Sequence, residues 1–112
     1  MNTISFDDFM KVKICVGTIL TASINNNLDN PAIVLTIDFG KEIGIKKSSA
    51  QLIANYTCVS LIKRQILAVV NFPPRQVGKI ISEVLVLGLS DNNNQPVLIS
   101  PDSNIKNGKK LY

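Results

Sequence analysis

Apolar and polar residues alternate with period two through much of this chain, and that pattern predicts strands rather than helices. From Val12 to Leu20 the apolar Val12, Ile14 and Val16 alternate with Lys11, Lys13 and Cys15, and Gly17 falls where a long curved strand needs a bulge or bend. Ile33, Leu35, Ile37 and Phe39 alternate with Val34, Thr36 and Asp38, and Gly40-Lys41 predicts a tight connection into a third strand over Glu42 to Lys47. Gln65 to Asn71 is a nearly unbroken run of strand formers stopped by Pro73 and Pro74, which cannot donate to a ladder. Beyond an expected loop at Gln76 to Lys79, Glu83 to Leu89 reads as a further strand, and Val97 to Ile99 as a short one.

Two places break the strand period. Ser5 followed by Asp8 has the form of an N-cap, so Phe6 to Met10 is expected to make a short helical turn with Phe6 and Phe9 packed inward. Ser48 or Ser49 is expected to cap a two-turn helix through Ala50, Gln51, Leu52, Ile53, Ala54 and Asn55. The connections are written in turn residues: Asn25, Asn26, Asn27, Asp29 and Asn30 between the first two strands, and Asp91-Asn92-Asn93-Asn94 near the end. The tail from Pro101 to Tyr112 reads as loop. Three strands, a helix and two strands make an all-β dominated OB-fold, a five-stranded Greek-key barrel with a short helix between strands 3 and 4 and short N- and C-terminal extensions.

At 112 residues the chain is expected to form one domain over residues 1–112, with a core of Ile, Val and Leu because only 5% of residues are aromatic. No apolar run reaches the ~18 residues of a membrane span and no secretory signal pattern opens the chain, so a soluble cytoplasmic protein without membrane insertion is expected. Histidine is absent and the two cysteines, Cys15 and Cys58, lie far apart; neither a zinc site nor a neutral-pH base is available from them, and small buried thiols are expected. The eight carboxylates show no pairing beyond a helix cap, so no enzyme activity, no cofactor and no metal are expected.

Net charge is +4, but its distribution says more. Between Lys41 and Lys79 seven cations (Lys41, Lys46, Lys47, Lys63, Arg64, Arg75, Lys79) face one acid, Glu42, a local balance of +6. Such a segment fits an anionic partner such as nucleic acid and equally a solvated lysine face. Two strings, GIKKSSAQ (44–51) and VVNFPPRQVGK with ISEVLVLG (69–88), bring cations, hydroxyls and amides to strand ends, where a barrel can offer phosphate and base contacts together. The same groups could equally serve loop backbone and solvent. An open barrel leaves sheet edges, and the apolar ends around Phe6, Phe9, Leu111 and Tyr112 need cover, which a second copy can supply.

These strings, with FDDFMKVKICVGTI (6–19) and the closing NGKKLY (107–112), resemble the CsaA family of bacterial tRNA-binding-domain proteins over essentially Phe6 to Tyr112. The resemblance implies an OB-fold homodimer that binds transfer RNA by shape, and an export-related chaperone that holds unfolded precursor proteins as the alternative. It carries RNA contact onto Lys46, Lys47, Ser48, Ser49 and Gln51 in the first string and Asn71, Arg75, Ser82 and Glu83 in the second. Two departures stand out: Lys13-Ile14-Cys15-Val16-Gly17 replaces a frequent DIRVG, and Asn25 to Asn30, with Asp29, holds no basic residue where relatives tend to carry them; Glu83, besides, stands where many relatives carry glutamine.

Overall fold

A computed structural model describes residues 1–26 and 31–112. Five strands, β1 (Ile14–Asn25), β2 (Ala32–Asp38), β3 (Ile45–Ala50), β4 (Gln65–Val69) and β7 (Leu85–Val86), form one antiparallel sheet in the order β3-β2-β1-β4-β7. The long β1 serves both halves: Ile14 to Thr18 pairs with β4, and Thr18 to Asn25 pairs with β2. One strand shared in this way curls the sheet into the half-barrel of an OB-type fold. The alternation in β2 is the clearest statement of the core, since Ile33, Leu35, Ile37 and then Phe39 are buried against Ile19, Leu61 and Ile66.

Several expectations are corrected. Register slips between Ile19 and Thr21, so the bulge lies at Leu20 and not at Gly17. Gly17 has another purpose: a Cβ there would stand 2.7 Å from Ile37 Cγ2 and from two ring carbons of Phe39, so its bare backbone makes room for the largest buried side chain. No helix follows Ser48 and Ser49. Both belong to β3, where Lys46 to Ala50 gain a full ladder with β2, and a two-turn helix there would be marginal by comparison. The helix between strands 3 and 4 is α2 (Cys58–Leu61), capped by Thr57, whose side chain accepts from Ser60 N while the Ser60 side chain accepts from Thr57 N. Gln51 to Tyr56 is instead a turn around buried Leu52, pinned where Tyr56 Oη accepts from Leu98 N at 2.9 Å.

Gln76 to Lys79 is not loop: β5 (Arg75–Val77) and β6 (Ile80–Ser82) form a hairpin closed by Gly78, at φ +63°, and Lys79. A glycine first in a two-residue connection matches the twist of such hairpins. The segment read as one strand from Glu83 to Leu89 divides into β7 and β8 (Gly88–Ser90), and β8 pairs with β9 (Pro96–Leu98) across the expected Asp91 turn. There the Asp91 carboxylate accepts from Asn93 N and Gln95 N. The Asn-rich connection of residues 25–30 lies, from residue 27 on, outside the described residues.

The N-cap prediction for α1 (Phe6–Lys11) holds, with Ser5 Oγ accepting from Asp8 N at 3.0 Å, but the inward packing does not. The helix buries no residue, and Phe6 is 72% exposed. The tail is more ordered than a loop: Val16 N donates to Lys109 O, Gly108 N to Val16 O and Leu111 N to Ile14 O, so it lies along the edge of β1 left open by β2. Cys15 is buried and Cys58 half-buried, both free thiols, and burial pushes the Cys15 thiol up despite Lys110 and Lys13 nearby.

Candidate nucleic-acid interface

The β5–β6 hairpin folds against the outer edge of β3, and the join is made by the residues singled out in the sequence. Glu83 N donates to Lys47 O at 2.7 Å, and Lys47 N donates to Glu83 Oε1 at 3.0 Å. Ser49 N donates to Ser82 Oγ at 3.2 Å, and buried Ser48 donates through Oγ to Val84 O at 3.2 Å. An edge strand with open N–H groups is thereby closed by side chains as much as by backbone. Register places Arg75 opposite Ser82.

Between these walls runs a groove of about 580 Å³. Ser48, Ser49, Arg75, Ser82 and Glu83 all line it, so residues from 48 to 83 meet at one place. Its apolar part comes from Phe72, Pro73, Pro74, Val84, Leu85 and Val86. The contribution of Val84 to Val86 was not foreseen, because in sequence they read only as strand. Lys46 and Lys47 precede the groove on β3, on alternate faces.

Two expected site residues lie elsewhere. Gln51 borders a separate shallow concavity with Pro31, Ile53, Ala54 and Gln95. Asn71 spends its amide on the backbone: Oδ1 accepts from Lys13 N at 3.0 Å, and Nδ2 donates to Lys11 O at 2.7 Å, tying the end of α1 to β4. The basic segment also divides. Lys63 and Arg64 sit between α2 and β4, with the Arg64 guanidinium 5.2 Å from the centre of the Tyr56 ring. Lys41 joins Lys106 and Lys109 around a crevice at the β2–β3 turn.

Among the described residues Lys11–Asp8 is the one ion pair, so Lys46, Lys47 and Arg75 are not ion-paired with any described carboxylate, although Glu83 lies nearby. Cations held beside a concave, partly apolar, hydroxyl-bearing surface can take a phosphate chain and the bases it carries. Among the described residues no three His, Cys, Asp or Glu side chains gather as a metal site requires, and no helix is long and apolar enough to cross a membrane.

A half-barrel of OB type with a groove on its edge that Arg75 lines and Lys46 and Lys47 precede has the form of a small binding module. The family profile described as "Putative tRNA binding domain" matches residues 14–110, and the chain belongs to that family. The crystal structure of chaperone CsaA from Bacillus anthracis superposes with a TM-score of 0.93 at 42% identity, covering 99% of this chain and 100% of that one. The CsaA chaperone protein from Picrophilus torridus gives 0.89 at 44%, covering 98% and 100%. Among curated relatives, the methionine–tRNA ligase of Acidithiobacillus ferrooxidans is 32% identical over 108 residues, 96% of this chain but 16% of the ligase. The chain thus spans about a sixth of the length of the curated relatives it matches.

Proposed function

We propose that this chain is a non-catalytic, cytoplasmic module that binds transfer RNA by its folded shape and works as a homodimer. The observation that carries the reading is the set of cations free of ion pairs among the described residues, Lys46, Lys47 and Arg75, beside a groove built jointly by β3 and the β5–β6 hairpin. Phosphate contacts from such side chains supply affinity and register, and the hydroxyls of the groove add contacts that depend on shape. The family description and the ligase relatives support the same partner. The decisive experiment titrates the purified chain with bulk transfer RNA at two salt concentrations, beside a random single-stranded RNA of equal length. Tight, salt-sensitive binding that prefers the folded RNA is expected; equal binding of both RNAs overturns shape selection, and no binding overturns the RNA reading.

The dimer reading rests on the meeting of the two ends. Lys110 Nζ donates to Met10 O at 3.2 Å, which brings the tail against α1. Phe6, Phe9, Leu111 and Tyr112 are therefore proposed as one apolar face that a second copy covers. A six-residue helix that buries nothing needs such cover to persist. A monomer in sedimentation at micromolar concentration refutes it.

A second reading is favoured by exposed apolar side chains: Phe72 and Leu85 in the groove and Ile81 on the adjoining hairpin are each about half exposed, and both solved neighbours named above are described as chaperones. On that reading the chain holds unfolded precursor proteins. Suppression of aggregation that is indifferent to salt would place it ahead of RNA binding.

A further inference from the structure

We propose that the groove between β3 and the β5–β6 hairpin holds one unstacked guanine base, read at its Watson–Crick edge by the Glu83 carboxylate. The inference rests on the RNA-binding reading and gives that site a base preference. Glu83 is half-buried, lines the groove and has no cation paired with it, although Arg75 lines the same groove. Its direction is fixed, because Lys47 N holds Oε1 at 3.0 Å, which leaves Oε2 and the second lone pair of Oε1 free to accept. A carboxylate repels phosphate, so beyond its bond from Lys47 N the lone pairs it leaves open on a cationic surface suit a ligand that brings N–H donors.

Guanine brings two parallel donors, N1–H and the 2-amino group, side by side. Adenine and cytosine set a ring-nitrogen acceptor beside their single amino group, and uracil flanks its one N–H with two carbonyls, so each turns a lone pair toward the carboxylate. Phe72, 52% exposed at the groove's side and stiffened by Pro73 and Pro74, offers a face for stacking. The Ser49 hydroxyl in the β3 wall is enclosed and has no partner in the protein, so a base seated in the groove lies over this polar atom without contacting it directly.

The test titrates the full chain with 5′-GMP, IMP, AMP, CMP and UMP while backbone amide resonances are followed. GMP is expected to move Ser49, Phe72, Glu83 and Val84 and to bind about ten-fold more tightly than AMP, CMP or UMP. IMP, lacking the 2-amino group, should fall between. Glu83→Gln keeps an acceptor for Lys47 N and should erase the GMP preference; Phe72→Ala should weaken all five nucleotides and keep their ranking. Equal affinities, shifts confined to other surfaces, or a preference surviving Glu83→Gln overturns the proposal. So does an unfolded-protein peptide that moves these amides when GMP does not. Transfer RNA bound by a chain with no guanine preference overturns the base site alone, whereas a guanine preference without transfer-RNA binding overturns the proposed function and leaves the base site standing.

Discussion

Gly108→Ala is expected to be among the most damaging single-methyl additions to this chain, and its cost follows from two separable terms. Gly108 has φ +93°, where an L side chain is strained by about 1–2 kcal/mol. A Cβ at Gly108 would also stand 2.5 Å from Phe39 O, a backbone atom that cannot rotate away. The contact is relieved only by parting the tail from the β2–β3 turn, which also strains its bonds to β1, where Gly108 N donates to Val16 O at 2.8 Å and Asn107 Oδ1 accepts from Thr18 Oγ1 at 2.7 Å. Overpacking of this kind costs roughly 1–3 kcal/mol, so the sum is about 2–5 kcal/mol. Gly44→Ala is the control: φ is +87°, but nothing lies within 4 Å of the added Cβ, leaving the strain term alone. Urea unfolding of the two variants, with amide exchange at Val16 to report release of the tail, separates the terms. A Gly108→Ala cost no larger than that of Gly44→Ala refutes the close-contact argument.

Arg75→Ala and Lys47→Ala should each weaken transfer-RNA binding and lower the slope of log affinity against log salt by about 0.7–0.9; an unchanged slope removes that residue from the phosphate contacts. Thr57→Ala should cost about 0.5–2 kcal/mol as the loss of a helix cap, and Ser48→Ala about 0.5–1.5 kcal/mol as the loss of its bond to Val84 O, both read by chemical denaturation. A neutral Thr57→Ala would contradict the cap. The Gln95 N–H, then the Asn55 amide and the Asn93 N–H, hold the Asp91 carboxyl below its usual value. A group lowered in the folded state contributes stability above its unfolded pKa and loses it as pH falls through the folded one. Asp91→Asn should therefore flatten the acid limb of the stability curve, and an unchanged limb counts against these bonds.

What sequence disclosed was whatever depends on near neighbours. The period-two run Ile33, Leu35, Ile37, Phe39 names the core face directly, and the Ser5 cap and Asp91 turn are closed by partners within four residues. Ser48 and Ser49 misled because a serine before an apolar stretch has the same local form whether it caps a helix or crosses a sheet. Pairing with β2 and a bond to a carbonyl 36 residues away decide the matter. Gly17 read as a bulge or bend, which the structure puts at Leu20, and its clearance for Phe39 was hidden because only the closed sheet brings that ring near. The groove mixes both cases. Its strings were visible, yet the grouping of Ser48, Ser49, Arg75, Ser82 and Glu83, and the departure of Gln51 and Asn71, follow from the hairpin's docking on β3.

That docking makes the two walls of the groove unequal. β3 is one strand of the five-stranded sheet, held to β2 over six paired residues, whereas the β5–β6 hairpin has three pairs of its own. Its attachment at β3 includes one backbone bond, Glu83 N to Lys47 O, and two that depend on side chains, from Lys47 N and Ser49 N. An isolated two-stranded hairpin is marginal in water, so this wall should open by a local route while the core opens only with global unfolding. Hydrogen exchange should accordingly be faster at the amides within residues 75–82 than at Ile19, Leu35 and Ile37. A saturating ligand in the groove bridges both walls and should slow the hairpin amides selectively. Exchange in the free protein as slow at the hairpin as in β2 would show both walls to be rigid, and slowing confined to the core would show the ligand seated elsewhere.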